Sequence, residues 1–476
     1  MLRDADSLPS SPAKSPARGL LFQVRQLVTL RDGLRLESVY LLVALVFGVL
    51  FAILIPPFQA PDEPAHYVRA WSVAGGQLIA GDDLTVLVPG NVAELPGHLG
   101  SGMIDWSQNA YSVRSALGAM AQPVGSPGVR VFTSAAGNGV LSYLPELPAI
   151  GIARFLGRSP LAALYGARLL NLMVGVLLTY FAIRLAPFGK PLFAFVGLLP
   201  MTIAQTASLS PDSVAIAGAF FFTALVLRMA VSARVGAIEI VVLALSGAVL
   251  LNVKSGYAVL GVLVLVIPVG RFGSRKAYAA GVTATLGAAA LVAGAQLLTA
   301  PVNLAASRRG IGPGFQGQPD TQMAFITQHP WGFVKVLLST LDTQSLLLTK
   351  QAVGVLGWLT VALPETLIVA ALLVLLVLFA RQDSVALAWW QRCVLAGGAL
   401  LGAFMVMGGI YVGWTPPVSP QVLGLQGRYF TPCIPAALLA LYGLPMTRRF
   451  VAPAVVIGIV VVVALVSIAG LVSFYY

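Results

Sequence analysis

Charge is what this chain has least of. Asp, Glu, Lys and Arg make up 10% of its 476 residues, against roughly 25% in a soluble globular protein. With 58% hydrophobic residues and a mean hydropathy of +0.88, that shortage excludes a water-soluble fold and leaves an integral membrane protein. Cysteine is nearly absent as well. Cys393 and Cys433 lie in or beside separate apolar segments and form no spaced motif, so neither a structural disulfide nor a zinc site is expected. No glycine-rich phosphate loop follows a strand, which argues against a nucleotide site. H-E-x-x-H and nucleophile-elbow motifs are also missing. The formal charge of +12 does not read as a nucleic-acid surface, because the basic residues fall between apolar runs, where topology signals belong.

What the chain does have is apolar length. Runs near the 20 residues that a span needs occur at 39–58, 161–184, 191–209, 212–231, 236–252, 255–270, 277–300, 364–380, 390–412, 428–446 and 450–473. They predict an all-α, polytopic fold with about 11 transmembrane helices in one domain, 38–476. Residues 1–37 are rich in Ser, Pro and Ala and read as a disordered cytoplasmic tail. The segment 143–157, "YLPELPAIGIARFLG", is short and broken by Pro145 and Pro148. If it lies flat on the outer surface, every inner loop carries at least two basic residues, and 17 of the 29 Lys and Arg fall inside. If it spans, the rule inverts. The first arrangement places the long connections 59–160, 301–363 and 413–427 outside, and with them every residue suited to chemistry. The spans themselves read as almost free of mid-membrane charge, and no internal repeat is evident.

Four stretches stand out on that face. "PPFQAPDEPAHYVRA", residues 56–70, leaves the first apolar run through two prolines into Asp62, Glu63 and His66. Asp62 suits an N-cap, and on the helix that follows His66 shares a face with both carboxylates. The stretch reads as a general base or metal site at the bilayer surface, or simply as a capped, membrane-parallel helix. "LPMTIAQTASLSPDS" ends on Ser210-Pro211-Asp212, a favourable helix start whose Asp212 suits the helix dipole with or without a function. "NVKSGYAVL" sets Lys254 and Tyr257 at the interface, where a lysine is either a functional charge or a snorkelling one. "GLQGRYFTP" holds Gln426, Arg428 and Tyr429. Arg428 opens an outer helix N-terminus suited to phosphate, Gly427 allows a close backbone approach, and an interfacial Arg–Tyr anchor is the plainer alternative. Arg309, in the Gly-rich stretch 307–333, could belong to a lid or to a simple connection.

"PPFQAPDEPAHYVRA", "LPMTIAQTASLSPDS" and "GLQGRYFTP", with "LGWLTVALP", resemble the bacterial polytopic family catalogued as domain of unknown function 2142, from residue 38 onward. That family in turn resembles the type C (GT-C) glycosyltransferases, including protein O-mannosyltransferases and the aminoarabinose transferase of lipid A. The resemblance implies 11 to 13 spans and interfacial helices in the first external loop. It also implies an acidic pair after the first span, here Asp62 and Glu63, and a polyprenyl-phosphate-linked sugar donor used with inversion on the outer face. His66 departs from the relatives' usual acidic motif and leaves a divalent metal (Mg or Mn, held by Asp62, Glu63 and His66) as an open possibility.

The expected function is therefore transfer of a sugar to an envelope glycan, lipid or protein in the bacterial inner membrane. Asp62 is the expected base, and Glu63 and Asp212 hold acceptor or metal. Lys254, Tyr257, Arg309, Gln426, Arg428 and Tyr429 bind substrate. A transporter or flippase of a polyprenyl-linked glycan is the alternative, and a non-catalytic scaffold the third.

Overall fold

The computed structural model describes residues 35–81, 83–100, 111–125, 127–253, 255–297, 318–380, 387–442 and 453–476. The tail expected at 1–37 lies almost wholly outside them. A first long helix, α1 (Leu36–Leu54), leads into the first connection. There follow α2 (Glu63–Ala74), β1 (Thr85–Pro89), α3 (Gly90–His98), α4 (Val113–Ala121), β2 (Gly128–Phe132) and α5 (Leu147–Phe155). β1 and β2 pair antiparallel, Thr85 opposite Phe132 and Pro89 opposite Gly128. The sequence reading did not foresee this pair, because it searched for runs of about 20 apolar residues, whereas "TVLVP" and "GVRVF" are short and β-branched. Val86 and Val88 are buried in one apolar cluster with Tyr67, Trp71, Ile150 and Leu164, giving the first connection an apolar core of its own. At nine residues, α5 is roughly 13 Å long, too short to cross a bilayer core of about 30 Å.

The remaining chain runs through α6 (Pro160–Leu185), α7 (Lys190–Gly197), α8 (Pro200–Thr206), α9 (Asp212–Val231) and α10 (Ala237–Val253). A 3-10 segment (Ser255–Val266) and α11 (Arg275–Leu297) come next. Beyond the second connection lie α12 (Pro319–Gln328), α13 (Pro330–Gly354), β3 (Val355–Leu356), β4 (Val361–Ala362), α14 (Glu365–Ala380) and α15 (Trp389–Gly413). A second 3-10 segment (Gly427–Cys433), α16 (Ile434–Leu441) and α17 (Pro453–Tyr475) complete the described part.

Five of the eleven expected runs coincide with helices long and apolar enough to cross a membrane: α1, α6, α9, α15 and the Val455–Tyr475 part of α17. Three more coincide with shorter apolar helices, within α10, the first 3-10 segment and α14. The other three differ in form. The run at 277–300 is helical as α11 but is not one of the five. The run at 191–209 is divided into α7 and α8 at Pro200, and the run at 428–446 begins as a 3-10 segment containing Pro432. Proline removes a backbone donor and clashes with the preceding turn, so an apolar run that contains it need not be one helix. Irregular backbone at membrane depth is tolerated where protein surrounds it. Here α9, buried along most of its length, packs against α6, α8 and the 3-10 segments Ser255–Val266 and Gly427–Cys433.

The inner face of α6 determines how the ends of its neighbours lie. Arg168, Asn171 and Gly175 recur along it at spacings of three and four residues. Arg168 is buried inside the span and uses all five of its N–H groups. Nε and Nη2 donate to Glu63 Oε1 and Oε2 at 2.7 and 2.5 Å. Nη1 donates to the carbonyls of Ala52 and Ile55, and Nη2 to that of Pro56, at 2.7–3.0 Å. One guanidinium thereby satisfies carbonyls that the end of α1 leaves open and fixes the chain leaving it. Asn171 donates to the carbonyls of Ser208 and Ser210 at 2.7 and 2.9 Å and accepts Ser213 Oγ on its own carbonyl. At Gly175 a Cβ would lie 2.5 Å from both Ser213 Oγ and Thr206 Cγ2. Glycine is therefore what lets α6 and α9 approach this closely.

Removing one partner of a buried ion pair leaves the other charge uncompensated. Glu63→Gln and Arg168→Met should each lower stability by about 3–5 kcal/mol. The double replacement Glu63→Leu/Arg168→Met should cost clearly less than their sum. Thermal unfolding of the purified protein in detergent measures both.

Candidate functional site

Between α1 and α2 the chain turns sharply, and two residues other than glycine take left-handed backbone, Phe58 (φ 67°) and Asp62 (φ 64°). Such a conformation is a true outlier for a bulky residue and costs of order 1–3 kcal/mol. Tertiary contacts hold it in place. Phe58 N–H donates to Glu63 Oε2 and its carbonyl accepts Trp358 Nε1, both at 2.9 Å, while its ring lies edge-on to Tyr67 at 5.1 Å. Asp62 occupies the N-cap position of α2 but makes no side-chain cap. Its carboxylate turns away from the helix.

That carboxylate meets Arg428. Nη2 of Arg428 lies 2.7 Å from Asp62 Oδ2, with the Asp62 side chain 48% exposed and the Arg428 side chain 1%. Nη1 donates to Gln205 Oε1 at 2.8 Å and lies 3.3 Å from Asp212 Oδ2. Nε donates to Gln426 Oε1 at 2.7 Å. The Tyr429 ring centroid is 5.0 Å from the guanidinium carbon, within cation–π range. Asp212 stands in the first turn of α9, its backbone N–H donating to Ser210 Oγ at 3.2 Å. The cluster joins one buried cation to two carboxylates, one partly open to its surroundings and one enclosed.

Three supports place Arg428. Gly427 N–H donates to Gln351 Oε1 of α13 at 2.9 Å. Tyr257 Oη donates to the Tyr429 carbonyl at 2.9 Å. At Gly427 a Cβ would lie 1.8 Å from the Leu348 carbonyl oxygen and 2.7 Å from Ala352 N. Gly427 thus permits close approach to α13 rather than to a ligand, a correction to the sequence reading. The expected anion site at a helix N-terminus is corrected too, since a seven-residue 3-10 segment stands there with its Gly427 N–H already engaged.

Of the expected site residues, Asp62, Asp212, Gln426, Arg428 and Tyr429 gather in one place, with Tyr257 attached through its hydroxyl. Glu63 does not join them. It is fully buried, and each oxygen accepts two hydrogen bonds: Oε1 from Arg168 and Leu209 N–H, Oε2 from Arg168 and Phe58 N–H. Its four acceptor positions are filled, so it positions the site rather than holding acceptor or metal. His66 meets Tyr143 instead, its Nδ1 2.9 Å from Tyr143 Oη. Asp62, Glu63 and His66 therefore diverge. Among the described residues no three His, Cys, Asp or Glu side chains converge to hold a metal ion, so the possible set Asp62, Glu63 and His66 is not assembled as one. Lys254 and Arg309 lie outside the described residues.

The sequence reading passed over Gln205 and Arg168. Gln205 sits inside a quoted stretch, a polar residue flanked by apolar ones. Arg168 was the stronger signal: an arginine within an apolar run is a functional candidate by default. Gln351 and Asn171 carried no signal that separates them from ordinary helix residues.

A family model described as "Predicted membrane protein (DUF2142)" matches residues 45–439. The chain belongs to this family. No curated protein and no solved structure matches it. Within the matched DUF2142 region fall Asp62, Asp212 and Arg428, and also the Arg168–Glu63 pair that supports them.

The glycine contact gives a test of how Arg428 is placed. Gly427→Ala should push the 3-10 segment off α13 and lower stability by about 1–3 kcal/mol or more. Gly409→Ala, on α15 where a Cβ meets nothing within 4 Å, should raise it by about 0.5–1 kcal/mol. Melting temperatures of the two variants should move in opposite directions.

Proposed function

We propose that this protein is a membrane glycosyltransferase of GT-C type, moving one sugar from a polyprenyl-phosphate donor to a cell-envelope acceptor. The observation that carries the reading is the contact between a half-exposed Asp62 carboxylate and the buried Arg428 guanidinium. It sets a base beside a cation at the end of a membrane helix, and protonation of Asp62 weakens the ion pair that occupies Arg428 Nη2. In the reaction Asp62 takes the proton of the acceptor hydroxyl. The acceptor oxygen bonds to the anomeric carbon from the face opposite the phosphate, and the carbon–oxygen bond to the phosphate breaks with inversion. Arg428 stabilises the charge gathering on the departing polyprenyl phosphate. Gln205 and Gln426 orient the guanidinium.

Asp62, Asp212 and Arg428 together carry one excess negative charge, so a donor phosphate needs further cations to bind. Lys254 and Arg309 are the proposed source. Eleven spans, a cytoplasmic N-terminus and a site on the outer face of the bacterial inner membrane complete the reading, resting on the distribution of Lys and Arg. The transporter alternative needs exchangeable charges within the spans. Arg168, the charge inside α6, has every N–H engaged, which favours transfer over transport.

Purified protein given a panel of radiolabelled polyprenyl-phosphate sugars should transfer label to an envelope acceptor. Asp62→Asn should lower the rate by about 10²–10⁴-fold without a matching fall in melting temperature. Undiminished transfer by Asp62→Asn would remove Asp62 as the base. A lipid-linked glycan trapped on the inner leaflet of deletion strains, with no transfer by purified protein, would establish the flippase reading instead.

A further inference from the structure

The first connection holds a second set of polar side chains around His66, Asn138 and Tyr143. Its centre is Tyr143, at the end of a 3-10 turn (Val140–Tyr143). Tyr143 Oη lies 2.9 Å from His66 Nδ1 on α2, and Asn138 Nδ2 lies 3.3 Å from that oxygen and 3.5 Å from the histidine nitrogen. Three residues on, Glu146 stands at the N-cap of α5, its backbone N–H donating to the Tyr143 carbonyl at 3.0 Å. Glu146 is fully buried. Neither of its carboxyl oxygens has a hydrogen-bond partner among the described residues.

An ionised carboxylate in such a place costs several kcal/mol, and a buried polar group left unpaired calls for an explanation. Among the described residues no cation forms an ion pair with it. Arg69, from α2, is also fully buried, but its guanidinium donates to Ser72 Oγ and to the carbonyls of Gln77 and Leu78 at 2.7–3.2 Å. His66, the other titratable group that α2 turns toward this turn, is engaged with Tyr143. From α6, packed on the other side, Arg168 is committed to Glu63, and Tyr165 lies under Arg168 with its ring centroid 5.6 Å away.

We propose that Glu146 is a proton-binding site: its carboxyl carries a proton in the folded protein, and losing that proton loosens α5 from α2, the helix that begins beside Asp62. The path of coupling is short. Glu146 is bonded through its backbone to Tyr143, Tyr143 meets His66, and His66 lies one helical turn from Asp62. Burial pushes the Glu146 carboxyl well above the usual carboxylate range. Because the folded value is raised, the stabilising contribution is fully present below the ordinary glutamate value of about 4.3. It declines as the pH rises and is lost once the pH passes the folded value.

Infrared spectroscopy of the purified full chain in lipid tests the site without any assay of sugar transfer, so it stands or falls independently of the transferase reading. The parent should show the carbonyl stretch of a protonated carboxylic acid at neutral pH, lost as the pH is raised, and Glu146→Gln should lack that band. Melting temperatures should agree with it: Glu146→Gln should melt above the parent near pH 8, with the gap closing toward about pH 4–5. Hydrogen exchange in 63–74 and 147–155 should quicken with pH, beyond its intrinsic dependence, in the parent alone. A parent without the protonated-acid band at neutral pH overturns the proposal whether or not the variant folds. So does a melting gap that does not change with pH.

Discussion

Everything near the site hangs on the ion pair between Arg168 and Glu63. A charged pair buried inside a membrane protein is weak evidence of stability in itself, because desolvation opposes the attraction. What this pair supplies is position. Arg168 comes from α6, yet its other donors are spent on three carbonyls at the end of α1, while Glu63 also takes the N–H groups of Phe58 and Leu209. Three separated parts of the chain are thus tied at one point. Asp62 lies one residue from that point and Asp212 three residues beyond Leu209. The two carboxylates that meet Arg428 are held by a pair that never touches it.

The same tie accounts for the backbone between α1 and α2. Left-handed conformation at Phe58 and Asp62 is unfavourable on its own, and it persists because hydrogen bonds on both sides of Phe58 leave the chain no easier path. In return, Asp62 directs its side chain off the helix axis. An aspartate capping α2 would satisfy the helix N–H groups; this one is turned to Arg428, with its side chain half-exposed. Local propensity is given up here for the sake of the site.

Much of this was legible beforehand and some was not. Membrane character, helical class, the four conspicuous stretches and the family followed from composition and motif. The gathering of Asp62, Asp212 and Arg428, separated by 150 and 216 positions, is where reading by motif and the folded chain meet. Glu63 was misjudged because adjacent carboxylates look alike in sequence. What separates them is the direction in which each side chain leaves the turn, and that is decided by Arg168, a hundred residues away. The strand pair and the broken helices were missed for a related reason: hydropathy averaged over about 20 residues smooths away prolines and five-residue alternations.

Gly427 has one more consequence, for the order in which the molecule comes together. It lets the segment bearing Arg428 settle against the backbone of α13, and it lies late in the chain. A ribosome makes Asp62 first and Asp212 second, with 215 residues intervening before Arg428 emerges. Until then the two acids lack the cation that joins them. Only with Gly427 beside Leu348 is the guanidinium in place, so the site is complete only after most of the chain has been made. A chain cut short before Gly427 has both acids and lacks the arginine that joins them.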